Sequence, residues 1–277
     1  MIEELAVVSE IDNIMFNDRF GHSCIVYNDS LWIIGGISMN DDHGDVVCSK
    51  DGRRWESVVE KAPFGDIHDH SCVVFNNKIL LIGGCGDDFC NSVWYSDNGK
   101  DWKILNDSPG FSKRGHHTVT FFRDKLWIIG GQDKNKIQDD IWVSSDGIHW
   151  EEVTNKAVFG ARRGHATVVY DDKIWIIGGY NGLLLNSIWS SEDGINWKLE
   201  IENPAFAKRR SHSSTIFDDK LWVIGGTKNN NFEYLNDFWC STNGIDWVHL
   251  DDSKLYAKRT NHTSTVFDNK IHVIGGC

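Results

Sequence analysis

The amino-acid sequence predicts an all-β fold, a six-bladed β-propeller formed by a single domain over residues 1–277. Three observations predict it. Six glycine pairs (Gly35-Gly36, Gly83-Gly84, Gly130-Gly131, Gly178-Gly179, Gly225-Gly226 and Gly275-Gly276) follow one another at intervals of 48, 47, 48, 47 and 50 residues. A fixed period of this size marks a propeller, a solenoid or an array. A histidine stands 13 positions before each pair: His22, His70, His117, His165, His212 and His262. Third, β-branched and aromatic residues dominate over helix formers, and all 13 Trp fall in three registers of the repeat, a composition that favours strands.

Each unit reads as four strands. The first follows the histidine, as in Ser23-Cys24-Ile25-Val26-Tyr27. Asn28-Asp29 and its counterparts, such as Asp171-Asp172, come next; Asn and Asp tolerate left-handed backbone and suit a tight hairpin. The second strand, ending at the glycine pair, is a continuous apolar run such as Leu31-Trp32-Ile33-Ile34, which implies that both its faces are covered, as neighbouring blades would cover them. The third is centred on Trp94, Trp142, Trp189 or Trp239, with Val47 in the first unit. The fourth begins eight residues later at Trp102, Trp150, Trp197 or Trp247, and at Trp55 in the first unit. An Asp-Gly or Asn-Gly pair between them signals a hairpin. An aromatic slot follows: Phe64, Phe111, Phe159, Phe206 or Tyr256. Counting back from His22 puts Phe16 in that slot and a fourth strand at about Val7 to Glu10, while the last second strand ends at Gly275-Gly276. The sixth blade is therefore split between the termini, which would close the ring and hide its edges. It lacks a third strand: either that blade has three strands or the native chain continues past Cys277.

The joint spacing R-x-x-H-[ST]…G-G…W…D-G-x-x-W resembles the kelch repeat over essentially the whole chain. The resemblance implies one propeller blade per repeat, with the strand after the histidine innermost and the Trp strand outermost. The Ser-x-Asp-Gly-x-x-Trp segments also resemble the Asp-box of sialidases, one residue short; that motif is a turn-stabilising element and not a catalytic one.

The net charge of −12 argues against nucleic-acid or anionic-membrane binding, which need a basic footprint. Seven Cys, an odd number without zinc-ligand spacing, suggest free thiols in a reducing, cytoplasmic setting. Cys24 and Cys72 share one repeat position and read as small core residues. The acidic N-terminus has no signal-peptide apolar core, and no run has the length of a membrane span.

Against this acidic background, arginines recur three residues before the repeat histidine: Arg19, Arg114, Arg162, Arg209 and Arg259, with Ile67 in the second unit. Lys113, Arg163, Lys208, Arg210 and Lys258 adjoin them. Five guanidinium groups lining a channel mouth would suit a carboxylate or phosphate, and the kelch resemblance implies acidic peptide motifs as ligands of that face. The same arginines could instead brace neighbouring blades, with loop carboxylates such as Asp45 neutralising them. Tyr180, Phe232 and Tyr234, in the variable loops of the same face, have no core duty and complete the candidate ligand-binding set. The expected function is a non-enzymatic binding scaffold for an acidic peptide or protein partner, monomeric and without cofactor or metal. A strand-exchange oligomer through the incomplete blade is the alternative assembly. The alternative activity is a sialidase- or sialic-acid-epimerase-like enzyme acting on an anionic sugar, with Glu233 and Tyr234 as its candidate pair; a copper oxidase is a third reading. No H-E-x-x-H, P-loop or G-x-S-x-G motif occurs. The six histidines are expected to brace their own blades through ring hydrogen bonds.

Overall fold

A computed structural model describes residues 19–39, 41–229, 231, 233–250 and 256–277. Every regular element in it is a strand. The first blade contains β1 (Ser23–Tyr27), β2 (Ser30–Ile37), β3 (Asp42–Ser49) and β4 (Glu56–Val59). The second contains β5 (Ser71–Phe75), β6 (Lys78–Cys85), β7 (Phe89–Ser96) and β8 (Trp102–Asn106). The third has β9 (Thr118–Phe122), β10 (Lys125–Ile129), β11 (Ile141–Ser144) and β12 (Glu151–Thr154). The fourth has β13 (Ala166–Tyr170), β14 (Lys173–Tyr180), β15 (Leu184–Ser191) and β16 (Lys198–Ile201), and the fifth β17 (Ser213–Phe217), β18 (Lys220–Thr227), β19 (Tyr234–Ser241) and β20 (Val248–Leu250). All five are antiparallel meanders in chain order. The last hairpin, β21 (Thr263–Phe267) with β22 (Lys270–Ile274), forms a two-stranded sheet. The strand expected at Val7 to Glu10, and Phe16, lie outside the described residues.

The chain divides into two units. One comprises the residues up to Gly115 together with Asn261–Cys277; the other is His116–Thr260. In the first unit the inner strands β21, β1 and β5 are successive neighbours, and in the second β9, β13 and β17 are.

The turn chemistry follows the sequence. Both residues of every inner hairpin turn are left-handed, from Asn28 (φ 47°) and Asp29 (φ 52°) to Asp268 (φ 47°) and Asn269 (φ 54°). This is the twist-matched turn that Asn and Asp tolerate best. In the outer turn Ser49 Oγ accepts from the Gly52 amide (2.9 Å) while Asp51 Oδ1 accepts from the amides of Arg53 and Arg54 (both 2.8 Å). The same net recurs at Ser144-Asp146 and Ser191-Asp193. These side chains satisfy backbone donors, so the turn motif is structural.

Tryptophans serve as wedges. Phe159 meets Trp197 edge-on at 5.1 Å, as Phe64 meets Trp102 and Phe206 meets Trp247, a favoured geometry for aromatic pairs. The second-strand Trp lies under the outer turn of the next blade. A Cβ placed on Gly99 would stand 2.2 Å from Trp32, and one on Gly194 2.4 Å from Trp127. In the last hairpin His272 takes the Trp position: its Nε2 donates to the Phe267 carbonyl at 3.2 Å, as Trp32 Nε1 donates to Tyr27 at 2.9 Å. Gly99→Ala should therefore destabilise the protein by about 3 kcal/mol, from steric overlap plus a left-handed backbone. Gly160→Ala, at the same φ of 75° but with open space around it, should cost only about 1 kcal/mol. Urea denaturation of the two variants measures the difference.

Candidate functional site

The connection entering each blade brings the repeat arginine, one variable residue, a left-handed residue and the repeat histidine to one edge of the sheet. The left-handed residue turns the chain: Gly21, Asp69, His116, Gly164, Ser211 and Asn261 have φ between 53° and 64°. Its amide binds the same residue of the preceding repeat. In the first unit Gly21 donates to Asn261 (3.0 Å) and Asp69 to Gly21 (2.7 Å); in the second Gly164 donates to His116 (3.0 Å) and Ser211 to Gly164 (2.7 Å). A second line of bonds joins the glycine pairs to the repeat-arginine register. Gly36 donates to Ile67 (2.7 Å), Gly84 to Arg114 (2.8 Å) and Gly276 to Arg19 (2.8 Å) in the first unit; Gly131 donates to Arg162, Gly179 to Arg209 and Gly226 to Arg259 (each 2.9 Å) in the second. These bonds explain the glycines. A Cβ on Gly35 would lie 2.4 Å from the Ile67 carbonyl oxygen and one on Gly275 2.4 Å from that of Arg19.

The five repeat arginines turn inward. Arg19, Arg114, Arg162, Arg209 and Arg259 are 3%, 0%, 1%, 0% and 9% exposed. Arg19 Nη1 donates to the Gly35 carbonyl (3.0 Å), and the guanidinium grips Asp45 with two bonds of 2.7 and 2.9 Å. Arg209 repeats this on Gly225 (2.9 Å) and Asp237 (2.8 and 2.7 Å). Burial alone would raise the Asp237 carboxyl, but hydrogen bonds from Arg209 and its charge outweigh that and hold it below the ordinary carboxylate range. Arg114 donates from Nε and Nη2 to Ser112, and Arg259 from Nε to Ala257. Of the two roles open to these residues, the geometry of Arg19 and Arg209 is that of braces, their forks filled by carboxylates of their own blades. The sequence leaves ligand binding and bracing both open for these arginines, and the bidentate pairs of Arg19 and Arg209 are the bracing one.

The next residue turns to the other side, because successive side chains of an extended chain point to opposite sides. In that register Phe20, His68, Arg163 and Arg210 are half-buried, while Gly115 and Thr260 are buried. In the second unit Arg163 and Arg210 are both half-buried and both lie against the Tyr180 ring, at 5.2 and 4.9 Å from its centre, within cation–π range. Arg163 is bridged to Tyr180 and Arg210 to Thr227 by paired backbone hydrogen bonds. Lys208, two residues before Arg210, and Lys258, one before Arg259, are exposed in the same unit. In the first unit the comparable loops carry exposed Asp41, Asp42, Asp66, Asp87 and Asp88. His68 Nδ1 pairs there with Asp69 at 2.7 Å, and that hydrogen bond raises the imidazole above its ordinary range. Of the predicted aromatics, Tyr180 sits in the basic cluster, Tyr234 is half-buried at the start of β19, and Phe232 lies outside the described residues. Glu233 is held by Lys228 and by Asn229 (2.9 Å), and the Lys228 hydrogen bond lowers its carboxyl. It is thus an ionised, exposed group, not one poised to give up a proton.

The repeat histidines are buried, 5–6% exposed. Two of them bond the neighbouring blade and not, as expected, their own: His22 Nε2 to Thr263 (3.0 Å) and His165 Nε2 to Thr118 (3.1 Å). Among the described residues no group of three or more His, Cys, Asp or Glu could hold a metal ion, and all seven cysteines are free thiols, Cys24 and Cys72 being half-buried. Among the described residues no helix is long and apolar enough to cross a membrane.

The KLHDC2/KLHL20/DRC7 Kelch-repeats domain matches the chain over residues 21–226. No curated protein matches it significantly. With the spacing, the five meandering blades and this match in agreement, the chain belongs to the kelch-repeat family of β-propellers, whose members serve as protein-interaction scaffolds.

Proposed function

We propose that the protein is a non-enzymatic, cytoplasmic scaffold that recognises an acidic peptide or protein partner through the basic edge of its second unit. The observation that carries this reading is the convergence of Arg163 and Arg210 on Tyr180. Stacking on the ring holds both guanidinium groups in the loop face, so an incoming carboxylate meets preorganised donors. Lys208 and Lys258 widen the positive surface in a protein of net charge −12, which sets orientation on encounter. A sixth blade founded on β21–β22 belongs to the same reading: Gly276 bonds Arg19 in the register that Gly36 and Gly84 use. The free thiols fit a reducing compartment.

Labelled poly-glutamate tests the reading. It should bind with an affinity that falls with salt, and Arg163→Glu with Arg210→Glu together should weaken it at least tenfold, about 1.4 kcal/mol. The far-UV spectrum should not change. Equal binding by the double variant, at equal salt dependence, would remove this surface from the function.

A further inference from the structure

The repeat arginine and the residue two places before the third-strand centre form a matched pair. Asp45 with Arg19 and Asp237 with Arg209 are bidentate ion pairs. Where the arginine is absent, at Ile67, the partner position holds Ser92. The fourth repeat breaks the match. Arg162 is present, yet its partner position is Ser187. That serine still does the other thing this position does, which is to accept from Trp189 Nε1 at 3.3 Å, as Asp237 accepts from Trp239 Nε1 at 2.8 Å. It brings no charge to Arg162.

Arg162 is 1% exposed. Its Nη1 donates to Gly178 (3.1 Å) and its Nη2 to Phe159 (2.5 Å), and it makes no ion pair with any of the described residues. Nε is buried without an acceptor, as is that of Arg19, whose Nη atoms are satisfied by Asp45; the Nε of Arg209 donates to Ala207. Burial without a counter-charge lowers its pKa to about 10. A buried charge left unpaired is strongly unfavourable. Beside it lies a cavity of about 220 Å³, lined by Arg162, Ser187, Phe159, Trp189, Leu185 and Lys208, with Glu202 also on its wall.

We propose that this cavity is a carboxylate-binding site, in which a ligand's carboxylate takes the place that Asp45 and Asp237 fill in their own blades. The Arg162 guanidinium is the principal donor and the Ser187 hydroxyl, free to donate while it accepts from Trp189, the second. Phe159, Trp189 and Leu185 pack the carbon chain that carries the acid. Lys208, exposed, attracts the anion, and Glu202 opposes it, so the inner donors decide the affinity. A drug-sized ligand needs about 300 Å³ or more; this cavity takes one acidic side chain, one terminal carboxylate or a small free acid. The site uses none of Arg163, Arg210 or Tyr180, so it stands or falls independently of the surface proposed above.

Substituting the serine supplies the missing group from within. Ser187→Asp should raise the unfolding temperature of the ligand-free protein, because the introduced carboxylate meets Arg162 as Asp237 meets Arg209. The wild type, titrated with sodium acetate and sodium glutarate against chloride at constant ionic strength, should show a saturable rise in unfolding temperature. Ser187→Asp should lose that response, with affinity at least tenfold lower, and Ser187→Asn, neutral and of similar size, should keep it. Acetyl-Gly-Glu-Gly-amide and acetyl-Gly-Gly-Gly compete for the site if the carboxylate comes from a partner's side chain or its terminus; competition by acetate alone identifies a small acid. A wild type that responds to acetate no more than to chloride, or a Ser187→Asp variant that responds like the wild type, overturns the proposal.

Discussion

Lowering the pH from 7 to 5 is expected to remove about 4 kcal/mol of folding stability, a large share of the ~5–15 kcal/mol that holds a typical domain together. The cause is the buried repeat histidines. Burial first, then the charge of Arg19 and neighbouring histidines, brings His22 down to about 3; burial brings His70 to about 4 and His165 well below its ordinary value. Unfolded, each titrates near 6.5. At pH 5 the unfolded chain therefore binds about one proton per histidine that the folded chain refuses, and stability falls as the pH drops. Each group contributes ~1–2 kcal/mol over this interval. The contribution is fully present above 6.5, and the loss levels off below the folded pKa of each group. His68 works the other way: raised by Asp69, it is stabilising below 6.5 and its contribution is lost as the pH rises through its folded pKa. It is one half-buried pair against three buried rings. Carboxylates such as Asp146, held near 2 by hydrogen bonds from His149 and the turn amides against a burial effect of opposite sign, release their stability only below the ordinary carboxylate range. Urea titrations at pH 7, 6 and 5 should show a midpoint falling by about 1 M or more at constant slope. His165→Gln, which keeps a donor for Thr118, should flatten that dependence by about a third. A midpoint unchanged between pH 7 and 5 would falsify the account.

The histidines were legible as a period and only partly as physics. Their spacing gives the innermost strand, and the Asn/Asp pairs give the turns, because one residue type suits one backbone conformation at six equivalent places. The direction of their ring bonds, to Thr118 and Thr263 in adjacent repeats, depends on how blades pack, which no spacing encodes. The arginines show the same limit more sharply. A residue that recurs in most repeats is a candidate for a role in the repeat itself, and in Arg19 and Arg209 that role is bracing. The residues free to vary lie one position on, where Arg163 and Arg210 stand. Alternation along an extended segment could have separated the two registers, since Arg162 and Arg163 cannot both face inward. The carboxylate partners were legible too. Asp45, Asp140 and Asp237 share the register two before the third-strand centre with Ser92 and Ser187, and Ser187 beside an arginine-bearing repeat is the visible exception. The Tyr180 cluster was not legible, because it needs β13, β14 and β17 side by side.

Breaking one of the filled braces is expected to cost as much as acidification. Asp237→Ala should destabilise the protein by ~3–5 kcal/mol at neutral pH, the range for removing one partner of a buried ion pair. Arg209 is wholly buried, and without Asp237 it keeps only the carbonyls of Gly225 and Ala207 as acceptors. Trp239 Nε1 also loses its acceptor at 2.8 Å, an unmet donor that adds ~1–3 kcal/mol to the penalty. Asp237→Ser separates these effects, because Ser187 shows that a hydroxyl can serve the Trp while leaving the arginine alone. The remaining loss in that variant measures the uncompensated charge. Arg209→Met reaches a similar loss from the other side, stranding a carboxylate that is 18% exposed and can partly recover water. The combined Arg209→Met, Asp237→Ser variant should be more stable than the sum of its parts predicts, by ~2 kcal/mol or more, since neither partner then remains buried alone and Ile67 with Ser92 already shows the blade folding without the pair. Chemical denaturation of the four proteins closes the cycle. Strict additivity would mean that Arg209 and Asp237 contribute separately, and the brace would then be a matter of geometry without energetic coupling.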